Sequence, residues 1–255
     1  MALNKPSISV VIITKDEEEK ISRCLNSIKW TDEIVVVDDL SVDKTAEICR
    51  EYGAKVLSNK SEGNFDRQRN IGIDNSKSDW VLQLDADEIV TEELKQGILE
   101  AVNSNHGYAA YKFKRKNYFL GHFIRYAGEY NYYVKLLRRG RARYVGRSVH
   151  ETLQVDGEIG AINCDIEHRV FDSISQFIER QNFYSGVEAG LLYEENKGVP
   201  DRKIKYNLII SSGKLFWKLY FKKKGYKDGM HGIVWCVLQS VRRILIWAKY
   251  WELSK

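Results

Sequence analysis

Cysteine is scarce in this chain. Cys24, Cys49, Cys164 and Cys236 are spread along 255 residues, and no two form a CxxC pair. That spacing excludes a disulfide framework and the usual zinc clusters, and it suits buried thiols in a reducing compartment. Long apolar runs are also missing. Ile8 to Ile13 is far too short to cross a bilayer, and Arg242 and Arg243 interrupt the most apolar part of the tail, Gly232 to Trp247. A span needs about 20 apolar residues. Met1 to Pro6 lack a basic segment leading into an apolar one, so no secretory leader is expected. The expected location is the cytoplasm, with attachment to the inner face of its membrane left open. There is no internal repeat and no low-complexity linker.

What is present reads as globular: 44% hydrophobic and 29% charged residues. The length suits one large domain, or one with a smaller appendage. The net charge of +5 is unevenly placed. Asp16, Glu17, Glu18 and Glu19 form an acidic cluster, while the tail from Arg202 is basic, with only Asp201, Asp228 and Glu252 as acids nearby.

The first hundred residues alternate between two periods. Ile8–Ile13, Glu33–Val37, Lys55–Leu57 and Trp80–Leu84 are short apolar runs of the kind buried strands take. Between and after them, Glu17–Trp30, Asp43–Tyr52, Phe65–Asn75 and Glu92–Val102 show helical spacing, with Asp43 a helix-capping candidate. This order predicts an α/β fold whose parallel sheet is covered by helices. Tyr108–Phe119, Tyr132–Leu137 and Val149–Val155 then alternate like antiparallel strands. Ser173–Asn196, Ile204–Lys224 and Met230–Trp251 read as helices, with a break at Val199-Pro200.

In an open parallel sheet, ligands bind beyond the carboxyl ends of the strands. Three polar clusters fall there: Thr14-Lys15-Asp16-Glu17, Asp38-Asp39 and Asp85-Ala86-Asp87-Glu88. Asp85 and Asp87 are two apart, which puts both on one face of an extended chain. Two hard oxygen donors suit Mg²⁺ or Mn²⁺, which takes its other ligands from water and substrate phosphates. A lone DxD is more often two solvated acids. Its position after a buried strand, beside Asp38 and Asp39, favours the metal reading. Asp38 and Asp39 either accept hydrogen bonds from a nucleobase and a ribose, or cap the turn before Ser41 and Asp43. Thr14 and Glu17 are further candidates for nucleotide contact. Arg67, Arg69 and Asn70 lie where the third helix begins, a placement that favours phosphate, against a solvated helix face.

Together, Val10-Val11-Ile12-Ile13-Thr14, Val35-Val36-Val37-Asp38-Asp39, Arg69-Asn70-Ile71-Gly72 and Leu84-Asp85-Ala86-Asp87-Glu88 resemble the family 2 glycosyltransferases of the GT-A fold. Val149-His150-Glu151 and Gly225-Tyr226-Lys227-Asp228-Gly229 are similar to the lipopolysaccharide-core β-glucosyltransferase subgroup. The resemblance implies a Rossmann-like nucleotide-binding region with a mixed central sheet and a helical C-terminal appendage. Residues 1–172 would form the catalytic domain, with 1–105 holding the nucleotide sugar and 106–172 the acceptor, and 173–255 the appendage. It implies inverting transfer from a UDP-sugar, with glucose favoured, to a saccharide or lipid-linked saccharide such as a heptose of the lipopolysaccharide core. Asp38 or Asp39 would hold uracil. Asp85 and Asp87 would hold ribose and the divalent metal, Asp87 more directly. Arg69 would approach the diphosphate or the carboxylates of the metal site. Leu40 departs from the turn glycine of many relatives.

Inverting transfer needs one carboxylate to take the acceptor proton. Glu151 is the candidate base, with Asp87, Glu88 and Asp156 as alternatives. His150 and His168 either help ligate metal or phosphate, or are structural. In the tail, Phe216 to Lys224 mixes aromatics with lysines. That composition fits an anionic membrane surface, a packed amphipathic helix or a homo-oligomer contact, and nothing else supports nucleic acid. A nucleotidyltransferase would show a glycine-rich loop where Thr14-Lys15-Asp16-Glu17 stands. A non-catalytic sugar-nucleotide-binding protein would bind UDP without turnover.

Overall fold

Four strands lie side by side in parallel, β1 (Ile8–Thr14), β2 (Glu33–Asp38), β3 (Lys55–Ser58) and β4 (Trp80–Asp85), all but β3 with buried side chains. The computed structural model describes residues 5–104, 106–146 and 153–255. Within β1 the side chains divide by period two. Val10 and Ile12 join a core with Ile21, Leu25, Leu94 and Ile98, while Val11 joins another with Val35, Ile73 and Val81. Such a strand is apolar throughout because each face is covered. The helices are α1 (Ile21–Ser27), α2 (Thr45–Glu51), α3 (Phe65–Asp74) and α4 (Glu92–Asn103). Those of the first core are α1, α2 and α4. Helix α3 packs on the opposite face, capped by Asn64, whose side chain accepts from the Arg67 amide at 2.9 Å.

The chain forms two units, Met1–Arg115 with Asn131–His168, and Lys116–Tyr130 with Arg169–Lys255. After β5 (Glu88–Ile89) come β6 (Ala110–Phe119), β7 (His122–Phe123), β8 (Tyr132–Arg138), β9 (Ala142–Tyr144), β10 (Leu153–Val155) and β11 (Ile159–Phe171). Among the described residues the main sheet has the order β3-β2-β1-β4-β8-β6-β11-β5, with β7 on β6, and β9 and β10 pair separately. β8 runs antiparallel to β4 and β6, so the sheet is mixed.

The second unit holds α5 (Ile174–Glu195), α6 (Asp201–Lys205), α7 (Ser212–Trp217) and α8 (Gly229–Leu253). Ser173 caps α5, its hydroxyl accepting from the Gln176 amide. π-Helical turns at Tyr206–Ser211 and Lys218–Lys222 interrupt the expected Ile204–Lys224 helix. The Gly225–Asp228 turn has a structural role. The buried Asp228 carboxylate accepts from the backbone amides of Arg125, Tyr126 and Ala127 at 3.2, 3.0 and 3.2 Å. Among the described residues no helix is long and apolar enough to cross a membrane.

The first helix is shorter than its apolar spacing predicts. Asp16 takes a positive φ of 50°, and the chain turns before the helix starts. Asp43 caps α2 from two positions ahead of its first residue, accepting from the Thr45 amide at 2.9 Å. β5 and β11 are absent from the sequence expectations. Of Val149–Val155, residues 153–155 form β10 and 149–152 lie outside the described residues.

One close approach fixes how α3 seats on the sheet. A Cβ on Gly72 would lie 2.2 Å from Val11 Cγ1. Gly72→Ala is therefore expected to destabilise the fold by about 2–3 kcal/mol through overpacking. A urea titration would show the midpoint falling, and Val11→Ala in the same chain should recover part of the loss. An unchanged midpoint would show that the helix shifts freely.

Candidate active site

Strand register brings the polar clusters into one row. Thr14 pairs with Asp38, and its neighbour Ile13 pairs with Asp85, so the ends of β2, β1 and β4 lie side by side. The loops after β1 and β2 are zipped together. Asp16 and Glu18 amides donate to Ser41 Oγ and Asp43 Oδ2, while Val42 and Lys44 amides donate back to Asp16 Oδ1 and Glu18 Oε2, all at 2.8–3.1 Å. Glu17 joins through its amide, 2.7 Å from Thr45 Oγ1. The acidic cluster is thus largely a stitch between two loops.

Asp38 is buried and turns inward on its own loop, accepting from the Ser41 hydroxyl at 2.5 Å and the Ser41 amide at 3.1 Å. Asp39 accepts from the amide and hydroxyl of Ser61 at 2.7 and 2.6 Å, with Lys15 Nζ at 3.7 Å. Thr14 is buried, and its hydroxyl oxygen has no hydrogen-bond partner among the described residues. Between these groups Leu40 sits at φ 55° with its side chain 51% exposed. Left-handed backbone costs a non-glycine residue roughly 1–2 kcal/mol. Glycine would relieve that, while adding roughly 0.4–1 kcal/mol of unfolded-chain entropy to be lost. Leu40→Gly is expected to raise the melting temperature slightly, by about 1–3 °C. A fall on calorimetry would mean that Leu40 makes a favourable contact outweighing its strain.

The DxD segment is the electrostatic centre. Arg69, buried on α3, donates to Asp85 Oδ1 at 2.8 Å. Lys135, buried on β8, reaches Asp85 Oδ2 at 3.3 Å and Glu88 Oε2 at 2.5 Å. Glu88 is fully buried and also accepts from the Asp85 amide at 2.9 Å. Arg115 Nη1 lies 3.8 Å from both carboxylates, its guanidinium 4.2 Å from the centre of the Tyr133 ring. Burial pushes the Asp85 carboxyl up, but Lys135 and Arg69 outweigh it and hold the group well below the usual carboxylate range. Asp85 is thus a fixed anion with both oxygens engaged by cations.

Asp87 faces a different partner. β5 pairs antiparallel with β11, setting His168 opposite Glu88, and His168 Nε2 lies 3.2 Å from Asp87 Oδ1. Among the described residues no group of three or more His, Cys, Asp and Glu is placed to hold an ion by itself. A carboxylate beside an imidazole does suit a divalent ion that completes its shell from phosphate and water. Burial pushes the thiol of Cys24 well up, and that of Cys49 up to about 12, so both remain protonated.

Of the residues singled out in the sequence, Arg69, Asp85, Asp87, Glu88 and His168 share this cluster. Asn70 is spent on structure: its side chain donates to the Tyr144 carbonyl at 2.8 Å and accepts from the Tyr144 amide at 3.1 Å, holding β9 to α3. Arg67 is exposed at the start of α3. His150 and Glu151 lie outside the described residues. Sequence reasoning passed over Lys135 and Arg115. The signal for Lys135 was a cation between Val134 and Leu136 in an apolar strand.

Around the paired aspartates at the end of β4 the mixed sheet thus gathers Arg69, Lys135 and Arg115. The sequence model of glycosyl transferase family 2 matches residues 9–153. An uncharacterised glycosyltransferase of Rickettsia typhi is 31% identical over 97% of this chain and 87% of its own length. The lipopolysaccharide core biosynthesis glycosyltransferase LpsC of Rhizobium meliloti is 26% identical over 97% of this chain and 93% of its own. Among solved structures, S. aureus TarS 1-349 in complex with UDP superposes with a TM-score of 0.51 at 16% identity, covering 97% of this chain and 90% of that one. The chain belongs to glycosyl transferase family 2. It is a glycosyltransferase, and its fold is GT-A with a helical C-terminal region.

Proposed function

We propose that this glycosyltransferase moves a hexosyl unit, with glucose the favoured sugar, from a UDP-sugar to a saccharide or lipid-linked saccharide with inversion at the anomeric carbon. The observation that carries the reading is the split environment of the DxD pair. Asp85 is neutralised by Arg69 and Lys135, while Asp87 stands with His168. One aspartate is committed to the protein's own cations, and the other keeps a donor set that fits Mg²⁺ or Mn²⁺. The bound ion would supply a counter-charge for the leaving diphosphate. Arg69, Arg115 and Lys135 add fixed positive charge at the same place, where charge develops in the transition state. UDP is the nucleotide of the TarS complex, and LpsC supports an acceptor in lipopolysaccharide core or another cell-surface glycan.

Glu151 is the proposed general base, resting on its sequence context after His150. Residues 1–105 are assigned to donor binding, and 106–172 to the acceptor. The test is to supply UDP-glucose, UDP-galactose and UDP-N-acetylglucosamine with Mn²⁺ and a truncated lipopolysaccharide core, and to measure UDP release. Glu151→Gln should bind UDP as the unaltered chain does and transfer no sugar. Transfer at the unaltered rate would place the base elsewhere, and absence of UDP binding with metal present would overturn the donor assignment.

A further inference from the structure

Between Arg202 and Lys224 the second unit carries eight lysines and arginines and no acid. The inner side of this stretch is settled. Ile204 packs with Ala189, Ile246 and Tyr250, and Leu219 with Phe177 and Cys236. The outer side is unusual for a helical surface facing water. Tyr206, Ile209, Ile210, Trp217 and Phe221 are all exposed, Ile209 at 71% and Trp217 at 63%. With gaps of three, one, seven and four residues, they fall on one helical face. The rings of Trp217 and Phe221 lie 4.1 Å apart, and Lys214 Nζ reaches the Tyr206 hydroxyl at 2.9 Å and sits 5.3 Å from the centre of its ring. Both π-helical turns, Tyr206–Ser211 and Lys218–Lys222, fall on this stripe. Turns of that kind are rare, and they concentrate at functional places.

An apolar stripe edged by unopposed cations needs an occupant that is apolar in depth and negative at its surface. We infer that the outer face of residues 202–224 docks on an anionic lipid bilayer. Trp217, Phe221, Ile209 and Ile210 enter the headgroup boundary, and Lys214, Lys218 and Lys222 to Lys224 meet the lipid phosphates. A second copy of the chain fits poorly, because a twofold contact through this face sets its lysines against themselves. Nucleic acid would meet the cations but leave Ile209 and Ile210 without a partner. The inference goes beyond the transfer reaction and does not rest on it.

The full chain, without sugar donor, is mixed with vesicles of phosphatidylcholine alone or with one quarter phosphatidylglycerol, and bound protein is measured by flotation. Binding is expected on the anionic vesicles only, weakening in 0.5 M salt. Replacing Lys222, Lys223 and Lys224 by Gln should weaken it about a hundredfold, at about fivefold for each charge. Trp217→Ser with Phe221→Ser should weaken it at least about tenfold. Each variant must keep the melting temperature of the unaltered chain, and a conservative Trp217→Phe should restore most binding where the double serine variant does not fold. Equal flotation with both vesicle types, or folded glutamine or serine variants that bind as well as the parent, overturns the proposal. So does a dimer in sedimentation velocity that the Trp217 and Phe221 changes dissociate.

Discussion

Asp87→Ala is expected to lower sugar transfer by at least about a hundredfold, the scale on which removing a preorganised electrostatic group acts. The expectation follows from how the acids of the DxD segment are committed. Asp85 gives one oxygen to Arg69 and the other to Lys135, and Glu88 is buried against Lys135. Asp87 is the carboxylate set beside an imidazole instead. His168→Ala should cost less, about ten- to a hundredfold, by analogy with partners that orient a metal-binding group. The check is UDP release with Mn²⁺ varied, together with calorimetric titration of UDP at each Mn²⁺ concentration. Both variants should need more Mn²⁺ for half-maximal UDP binding while keeping the parent's circular dichroism. If Asp87→Ala keeps more than about a third of the activity, the group is a structural acid and the metal assignment fails.

The second large effect concerns stability. Lys135→Met leaves Glu88 fully buried without its nearest ion-pair partner, with Arg115 standing 3.8 Å away, and removes one of the two cations closest to Asp85. Breaking a buried pair from one side costs about 3–5 kcal/mol. For a chain of this size that lowers the melting transition containing the first unit by about 10 °C. The double variant Lys135→Met with Glu88→Gln should recover a good part of the loss, because no uncompensated charge then remains. A single variant melting within about 2 °C of the parent would mean that water or Arg115 replaces the lysine. Lys135→Arg is a useful third chain. It keeps the charge but brings a planar fork in place of a compact ammonium, so it should fall between the two.

Much of the first hundred residues was legible because two rules agree there. Short β-branched runs alternate with helical spacing, and each polar cluster falls just past a run. The α/β class followed from that alternation, and the GT-A architecture from the resemblance of the quoted motifs. The site was legible mainly at the ends of strands and helices. Asp85, Asp87 and Arg69 are close in sequence to strand or helix ends, where position itself suggests chemistry. Lys135 and Arg115 arrive from strands β8 and β6, where only an apolar setting marks such a cation, while His168 on β11 was singled out as a metal or phosphate ligand or a structural group. β11 was still readable in principle, since Ile162, Cys164 and Ile166 alternate with Asn163 and Asp165. The two-residue strand β5 was not, because its pairing depends on a partner far along the chain. Asp38, Asn70 and Asp16 show the opposite limit. Their residue types suit ligands, yet the structure gives their hydrogen bonds to neighbouring loops and strands, a distinction invisible without the partners.

The pairing of β5 with β11 also bears on how the protein is made. Asp85 and Asp87 emerge from the ribosome well before Lys135, and His168 follows later still. Until those residues exist, Glu88 has no buried cation beside it and Asp87 has no imidazole. A growing chain can form the parallel strands β1 to β4 from local contacts, but its acidic centre is left with charges that cannot be buried without their partners. The site therefore closes late in synthesis. An unfinished chain would present an open strand edge at β4 in place of a working site, and glycosyltransferase activity would mark completed folding.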